Sequence, residues 1–596
     1  MQKRISLVCY LLCCAILLGT GLLYYPKWKQ ARTEATLSWD VSGYYFYLPA
    51  LFIYQDLKQL SFKEEILDRY YPTPEVLQAR RHASGNYVIK YSAGMALQYL
   101  PFFTIAHMYA KSSSAPADGF SWPYQLAISL GSLLVACLGL WFLRKVLLWY
   151  FDDVVTGIAL VALALATNYL DYAAINGAMT HNYLFTAYCL LVYCTCRYWQ
   201  RPTGRMAVSL GLIVGLMVLT RPSEMLAIFI PVLWGVQGRA SWQERMRHFR
   251  TNWRHIVQSI AAMILVGSVQ VIYWLYVTGK PFVYSYEHGF KFFKPRIADG
   301  LFDFRIGWLT YSPILVFALI GFYFLYQQHR KLFAVCAAFT GLFLWLTLSW
   351  VEWTYGGSLG HRAMIQMYPV LAFPLAATTT VMLRQGKLLQ GMMVLILAGC
   401  IWYNGWLTHQ AHRGGLFYPG QMTSAYFWKT LGRQHAPETT RFLLDTDEMY
   451  HGPRKGVELI AWETFEESVA DQQCRAAPDQ TGTCVLPGSE HMLLATPVDE
   501  IHGSWLRVTG KVYAPDKEWD PWKMARLTVK ASFNETVVKE KMIRIFRVLD
   551  AREYRRIWLD LQLPRVPINH LEVRLINTDS QVPVLVTEIE IESFDS

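Results

Sequence analysis

Asp40 is the most informative candidate for chemistry in the sequence, because it is a lone carboxylate in an aromatic stretch soon after a hydrophobic segment. The stretch reads SWDVSGYYFYLP over residues 38–49. A carboxylate at a membrane surface can accept a proton from an incoming hydroxyl group. Tyr44 and Tyr45 would then form the wall of a substrate groove beside it. The alternative is a solvated loop acid with no catalytic role.

Two cations lie where an anionic group could bind. Lys90 is the lone cation at the start of an apolar run, in NYVIKYSAG over residues 86–94. It can bind a phosphate as a compact point charge, or extend to lipid head groups with no further role. Arg221 lies between two short apolar runs, and an arginine in that setting needs an anionic partner. Both residues are therefore candidates for phosphate binding.

Two later loops add polar residues at the ends of apolar segments. Residues 279–305 form a basic loop, and residues 350–362 read WVEWTYGGSLGHR. Glycines allow the second loop to turn tightly and approach a ligand, and arginine is the favoured two-pronged phosphate ligand. The candidates for phosphate binding in these loops are Arg296 and Arg362. The candidates for the substrate groove are Glu287, His288, Glu352, Tyr355 and His361.

Asp171 and His181 border a further short loop, within NYLDYAAINGAMTHN over residues 168–182. Ionisable groups at the ends of spans on the same face as Asp40 are worth keeping as functional candidates. We therefore treat both as candidate catalytic residues alongside Asp40. A helix cap or a packing role is the alternative for His181.

These residues need a scaffold that brings them together, and the composition predicts a membrane protein. Of the 596 residues, 53% are hydrophobic and only 17% are charged, which is too apolar for one soluble domain. About eleven runs are long enough to cross a bilayer. They cover roughly 5–25, 122–143, 154–170, 181–199, 206–220, 222–237, 256–278, 306–326, 332–349, 363–383 and 388–407.

The distribution of arginine and lysine predicts the sidedness of these spans. Arginines crowd the loop between residues 239 and 254, which must be cytoplasmic because positive charges stay on that side. An odd number of crossings then leaves the N-terminus in the cytoplasm and the tail outside. The ambiguous apolar run Ala93–Ala110 becomes a juxtamembrane or re-entrant helix in a large first outer loop, residues 26–121. All the candidate residues above then share the outer face.

After residue 407 the sequence changes to short alternating segments with frequent charges. Period-two patterns bounded by turn residues indicate an antiparallel β-sandwich of the jelly-roll type. We therefore expect a membrane domain at 1–407 and an all-β domain at 408–596. Cys474 and Cys484 are the only cysteines in the β domain, and outside the cytoplasm they would form a disulfide. The clearest predicted strands cover 505–513, 526–533, 556–563, 571–577 and 583–592.

The formal net charge of +11 could suggest nucleic-acid binding. Much of the excess charge lies in loops between apolar runs, and no basic stripe or nucleic-acid-binding module is present. We therefore expect no nucleic-acid partner. The cysteines show no metal-ligand spacing, and we expect neither a metal nor another cofactor.

Taken in order, these segments resemble the GT-C superfamily of membrane glycosyltransferases, in particular bacterial relatives of the protein O-mannosyltransferases and of the lipid A aminoarabinose transferase. The resemblance covers about residues 1–407. It rests on Asp40 after the first span, on KYSAG and LPF within residues 90–102, on the loop after the third span, and on YGGSLGHR over residues 355–362.

The resemblance implies an enzyme that moves a sugar from a polyprenyl-phosphate donor to a protein, lipid or glycan acceptor. It implies that Asp40 acts as the general base or orients the acceptor, that Lys90 contacts the lipid phosphate, and that Asp171 is a second acidic residue. It also implies a bacterial inner membrane with a periplasmic β domain. Two other classes fit the sequence: a transporter or flippase with an outer sensory domain, and an assembly subunit for surface glycans that docks through its sandwich.

Overall fold

The computed structural model describes residues 4–73, 78–286, 288–465, 481–498, 501 and 503–596. The chain forms two compact units, Met1–Gly420 and Gln421–Ser596. The first is almost entirely helical, and the second is built mainly from β-strands.

The helices of the first unit follow the apolar runs of the sequence, separated by short turns and 3₁₀ segments. They are α1 Ile5–Gly19, α2 Asp40–Tyr45, α3 Tyr47–Phe52, α4 Lys63–Tyr70, α5 Gly94–Ser112, α6 Trp122–Leu147, α7 Asp153–Leu165, α8 Tyr169–Ala174, α9 Thr180–Gln200, α10 Gly204–Thr220, α11 Phe229–Leu233, α12 Arg239–Thr251, α13 Trp253–Thr278, α14 Ile297–Phe302, α15 Trp308–Tyr311, α16 Val316–Gln328, α17 Arg330–Leu348, α18 Tyr368–Leu383 and α19 Lys387–His409.

Among the described residues, six helices are long and apolar enough to cross a membrane. Shorter apolar helices, which include α7, α10 and α16, lie between them. The predicted polytopic helical membrane protein is therefore confirmed, whereas the number of crossings stays a prediction. The six long helices are Ile5–Lys29, Trp122–Leu147, Trp253–Thr278, Arg330–Leu348, Arg362–Leu383 and Lys387–Gly414.

The segment between the first two long helices folds back onto other helices through buried hydrogen bonds. It contains α2 to α5 and a small antiparallel hairpin, β1 Ala79–Arg81 and β2 Tyr87–Ile89. The Tyr273 hydroxyl of α13 accepts a hydrogen bond from the backbone N–H of Ile89 in this segment, at 2.9 Å. Gln270 Oε1, one turn earlier, accepts the N–H of Ala93 at 2.9 Å. These bonds fix the chain on either side of Lys90.

The second unit begins with a short helix, α20 Ser424–Thr430, and continues as two antiparallel sheets. One sheet has the strand order β5-β10-β7-β8, and the other has the order β3-β11-β6-β9 with β4 beside β11. Side chains from both sheets share one hydrophobic core, as in a sandwich. The strands are β3 Lys455–Thr464, β4 Thr483–Val485, β5 Ser489–Pro497, β6 Trp505–Tyr513, β7 Arg526–Phe533, β8 Thr536–Arg544, β9 Arg555–Gln562, β10 His570–Asn577 and β11 Val584–Asp595.

The five predicted strands coincide with β6, β7, β9, β10 and β11 to within a few residues at each end. Four strands have no prediction: β3, β5 and β8 lie at sheet edges, and the three-residue β4 pairs with β11. An edge strand that is exposed along much of its length lacks a regular apolar alternation in its sequence. β3 illustrates this, because nearly all its residues are exposed, whereas the edge strand β9 has buried residues and was predicted. Cys474 lies outside the described residues, and its pairing with Cys484 therefore stays a prediction.

A buried ion cluster joins β8 to the start of the β unit. The Asp445 side chain is fully buried, and its Oδ1 lies 2.5 Å from Arg544 Nη1 and 3.1 Å from Arg547 Nη2. Its Oδ2 accepts the backbone N–H of Arg544 at 2.7 Å. The arginines would be left as uncompensated charges if this carboxylate were removed.

We expect Asp445→Ala to destabilise the β unit by about 3–5 kcal/mol, the usual cost of breaking a buried ion pair from one side. Asp447→Ala is the matched control, because the Asp447 side chain is 75% exposed in its pair with Lys541, and it should cost less than about 1 kcal/mol. The destabilisation by each variant can be measured in the full chain as the loss of protease resistance of the β unit with increasing urea concentration. Equal losses for the two variants would contradict the structural role of Asp445.

Candidate active site

A pocket of about 210 Å³ in the helical unit brings together Asp40, Lys90, Arg221 and Arg362. Its walls are the aromatic side chains Tyr44, Tyr91, Tyr286, Trp350 and Tyr355. Glu352 also lines the pocket, so two carboxylates, three cations and an aromatic lining meet in one concave site, and such convergent polar groups are typical of a ligand site.

Asp40 is the first residue of α2 and follows a sharp turn. Trp39 has a φ of 48°, in the left-handed region, and its N–H donates to Pro72 O at 3.1 Å. The turn directs the Asp40 carboxylate into the pocket, where 25% of its side chain is exposed. Oδ1 accepts the Tyr91 hydroxyl at 2.6 Å, and Oδ2 accepts Arg362 Nη2 at 3.0 Å. Each oxygen keeps a second lone pair for a ligand hydroxyl.

The close approach of Tyr91 to α2 depends on Gly43. A Cβ at that position would lie 2.8 Å from the Tyr91 ring, nearer than real side chains allow. Tyr91 also packs on Tyr44 with ring centroids 4.3 Å apart. Burial, followed by the charge of Asp40, raises the pKa of Tyr91 well above its usual value. The hydroxyl therefore stays protonated and keeps donating to the carboxylate.

Arg362 reaches Asp40 from a glycine-rich loop with several left-handed residues. Gly356, Gly357 and Gly360 have φ values of 71°, 84° and 64°, and Tyr355 has a φ of 51°. Arg362 Nη2 also donates to the Tyr355 carbonyl at 2.6 Å, so one guanidinium nitrogen joins the loop to the carboxylate. The loop conformation, which glycine makes accessible, thus determines where the Asp40 partner lies.

Lys90 and Arg221 are the cations of the pocket that have no carboxylate within 4.0 Å among the described residues. Lys90 follows β2, and its backbone is held on both sides: its N–H donates to Gln78 O at 2.9 Å, and Ser285 Oγ donates to its carbonyl at 2.6 Å. The Arg221 guanidinium carbon lies 5.6 Å from the centre of the Tyr355 ring. Both cations are available to an anionic ligand.

A second, mostly apolar pocket of about 150 Å³ adjoins the first and shares Arg221, Tyr286, Trp350 and Tyr355 with it. Its other lining residues include Tyr284, Phe290, Leu346 and Ala363. The two pockets together offer an ion-lined end and a hydrocarbon-lined end, with Arg221 at the boundary.

His181 lines the first pocket and is 2% exposed. Its Nδ1 lies 3.1 Å from Gln366 Oε1. Gln366 Nε2 in turn donates to Glu224 Oε1 at 2.5 Å. Glu224 is fully buried, and among the described residues no ion pair joins it to Arg221. The histidine is therefore held by a chain of neutral and acidic side chains behind the pocket.

The pocket gathers most of the residues that the sequence indicates. These are Asp40, Tyr44, Lys90, His181, Arg221, His288, Glu352, Tyr355 and Arg362. Glu287 lies outside the described residues. Four candidates do not line the pocket: Asp171, Tyr45, Arg296 and His361.

Asp171 is not beside Asp40 but is 1% exposed in a cluster of its own. Its Oδ1 lies 2.5 Å from His412 Nε2, and its Oδ2 accepts Asn176 Nδ2 at 2.8 Å. Burial alone would raise the pKa of Asp171, but His412, Asn176 and Lys27 together hold the pKa below its usual value. The structure therefore places Asp171 in a separate buried cluster and not beside Asp40, and its catalytic role stays a prediction.

The other three candidates also have structural partners instead of a place in the pocket. Tyr45 is fully buried, and its hydroxyl donates to Gly119 O at 2.7 Å. Arg296 pairs with Asp299 at 3.2 Å on the surface. His361 is fully buried against the Tyr355 ring at 5.2 Å, and burial lowers its pKa to about 3, so the ring is neutral.

Tyr91, Tyr286, Trp350 and Gly356 line the pocket without having been candidates. Tyr91 adjoins Lys90, and Trp350 and Gly356 belong to the same loop as Tyr355, so proximity in sequence was the available signal. The aromatic residue type alone gives no signal for the pocket, because 15% of the chain is aromatic.

No protein-family model and no curated protein sequence matches the chain. Among solved structures, the chain is similar to the cryo-EM structure of the arabinosyltransferase EmbB from Mycobacterium smegmatis, with 10% sequence identity and a TM-score of 0.32. The similarity covers 83% of this chain and 60% of the EmbB chain, so this chain spans less than two thirds of that length. A likeness at this TM-score does not decide the activity of this chain.

Proposed function

We propose that the protein is a membrane glycosyltransferase that moves a sugar from a polyprenyl-phosphate donor to a hydroxyl-bearing acceptor. The observation that carries this proposal is the pocket in which the Asp40 carboxylate faces two cations without carboxylate partners, Lys90 and Arg221. A transfer of this kind needs a proton acceptor and a cationic site for a phosphate leaving group in the same cavity.

The donor would occupy both pockets. Its phosphate would bind Lys90 and Arg221, and the start of its prenyl chain would lie in the apolar pocket beside Tyr284, Phe290 and Leu346. Arg221 is common to both pockets, which suits a group at the junction of a charged head and a hydrocarbon tail. Arg362 would contribute to the site through Asp40, because its guanidinium already binds that carboxylate.

In the proposed reaction the acceptor oxygen attacks the anomeric carbon while the bond from that carbon to the phosphate oxygen breaks. The hydroxyl proton passes to Asp40, and the electron pair of the broken bond leaves with the polyprenyl phosphate. Lys90 and Arg221 stabilise the charge that develops on the phosphate. A single displacement of this kind inverts the anomeric configuration.

The bonds to Tyr91 and Arg362 fix the direction of the Asp40 carboxylate before the substrates arrive. Preorganisation of a base in this way lowers the barrier, because no side chain has to be reordered during the reaction. Tyr44 and Tyr91 present ring faces next to the carboxylate, and such faces suit the C–H surface of a sugar. The acceptor would be a protein, a lipid or a glycan at the outer face of a bacterial inner membrane, with the β unit in the periplasm.

The test is transfer by the full chain reconstituted in phospholipid vesicles with radiolabelled polyprenyl-phosphoryl sugars, hexosyl and pentosyl in parallel. We expect label to leave the lipid for a hydroxyl acceptor. A transporter would instead move labelled lipid across the bilayer with the sugar still attached. That result would overturn the proposal. An assembly subunit would keep its function when Asp40, Lys90 and Arg362 are changed, and this result would also overturn the proposal.

Lys90→Met should weaken the use of the donor more than the use of the acceptor. Loss of one charge-assisted contact costs about 1.5–3 kcal/mol, so kcat/KM for the donor should fall about 10- to 100-fold. Lys111→Met is the control, because Lys111 is an exposed lysine at the end of α5. Steady-state kinetics with varied donor measures the effect. If both variants behave alike, Lys90 does not bind the phosphate.

A further inference from the structure

Glu224 is a fully buried acid whose role the mechanism above does not explain. Three donors converge on its carboxylate: Tyr188 Oη at 2.6 Å, Gln366 Nε2 at 2.5 Å and Ser223 Oγ at 3.3 Å. An ionised carboxylate only accepts hydrogen bonds, and several donors are what stabilises one away from water. All three contacts place a donor on the carboxylate, so Glu224 acts as the acceptor toward Gln366.

This arrangement determines the orientation of the Gln366 amide. The NH₂ group must face Glu224, because an amide oxygen on that side would oppose a carboxylate oxygen. The amide oxygen then faces His181, and its distance to Nδ1 is 3.1 Å. An amide oxygen has no proton to give. Nδ1 of His181 must therefore carry the proton of this hydrogen bond.

The remaining nitrogen of His181 follows from the same reasoning. In a neutral imidazole with a protonated Nδ1, Nε2 has a bare lone pair and can only accept. A second proton on the ring is disfavoured, because His181 is 2% exposed and shares its pocket with Arg221 and Arg362. No hydrogen-bond partner of Nε2 occurs among the described residues, and Nε2 is not among the fully buried unpaired atoms.

We propose that Glu224 and Gln366 fix the tautomer of His181, so that Nε2 offers the pocket a bare acceptor that binds a hydroxyl of the sugar. His181 is then a binding residue for the sugar, and Gln366 and Glu224 are positioning residues. The other groups that can accept a hydrogen bond at this pocket include the carboxylates of Asp40 and Glu352, whereas Lys90, Arg221 and Arg362 can only donate. The inference rests on the proposed function for the identity of the ligand, but the tautomer itself does not depend on it.

The first experiment measures the tautomer by NMR of the full chain in nanodiscs with ¹⁵N-labelled histidine. His181→Gln assigns the resonances by their loss. In the wild type we expect a protonated Nδ1 and an unprotonated Nε2. In Glu224→Gln the new amide can donate to Gln366, which can then turn its NH₂ group toward His181. We expect the proton to move to Nε2 in this variant, whereas the control Asp68→Asn, at an exposed acid of α4, should leave the spectrum unchanged.

The second experiment adds two probes to the same sample. A methyl glycoside carries hydroxyls without phosphate and should shift the Nε2 resonance. Farnesyl phosphate carries a phosphate without a sugar and should leave Nε2 without a hydrogen bond. A protonated Nε2 in the wild type, or an unchanged tautomer in Glu224→Gln, would overturn the positioning role. No response to the glycoside, or an equal response to both probes, would overturn sugar binding. Neither experiment measures sugar transfer, so failure of this inference is distinguishable from failure of the proposed function.

Discussion

Asp40→Asn is expected to lower the rate of sugar transfer by about 10²- to 10⁴-fold, the usual contribution of a general base. The substitution removes proton acceptance with little change in shape. The asparagine oxygen can accept from Arg362, as Asp40 Oδ2 does at 3.0 Å. Its NH₂ group can donate to the Tyr91 hydroxyl, which accepts as well as donates. The pocket geometry should therefore persist in the variant.

Donor binding separates this loss from a loss of structure. The phosphate contacts of Lys90 and Arg221 do not involve Asp40, so the donor KM should stay within about threefold of the wild type while kcat falls, which is the pattern for an interaction made only in the transition state. Asp68→Asn, at an exposed acid of the same segment, is the matched control. Wild-type turnover in Asp40→Asn would exclude a general base at this position.

The elements that the sequence predicted well are those whose signal is local. The apolar runs of residues 122–143 and 256–278 are long enough to cross a bilayer and correspond to the continuous helices α6 and α13. The runs 222–237 and 306–326 contain prolines and are divided into 3₁₀ segments and shorter helices. The strands β6 and β10 have buried and half-buried residues in alternation. The edge strand β3 has no such alternation, because its neighbours in the sheet determine its position.

Candidate site residues were harder to predict. The predicted topology shows which residues share a face of the membrane, but it does not show which of them are in contact. Asp40 and Asp171 share the predicted outer face, yet one lines the pocket and the other lies in a separate buried cluster. Asp171 is held in its separate cluster by His412. His412 is distant in sequence, so the residues around Asp171 give no sign of this contact. Glu224 and Gln366 lie within apolar segments. From the sequence alone, a polar residue in such a segment could serve packing as well as a hydrogen-bonded link to His181.

Arg362→Met is expected to lose transfer and stability together, because one guanidinium nitrogen holds both the Asp40 carboxylate and the Tyr355 carbonyl. The side chains of Arg362 and Asp40 are only 18% and 25% exposed, so water replaces the lost contacts incompletely. A hydrogen bond to a charged group contributes about 1.5–3 kcal/mol, and we expect a loss of that size in the free energy of unfolding. Thermal unfolding of the full chain in detergent measures this loss.

The double variant Asp40→Asn/Arg362→Met distinguishes a broken pair from general damage to the loop. The neutral asparagine removes the carboxylate that Arg362→Met leaves without its arginine, so the double variant should recover stability relative to Arg362→Met, by a coupling energy of about 0.5–3 kcal/mol. It should remain inactive, because the base is absent. Arg296→Met is the control, since Arg296 pairs with Asp299 on the surface with a side chain 57% exposed, and it should change neither stability nor transfer. If the losses of the two single variants simply add in the double variant, Arg362 stabilises the loop without stabilising Asp40.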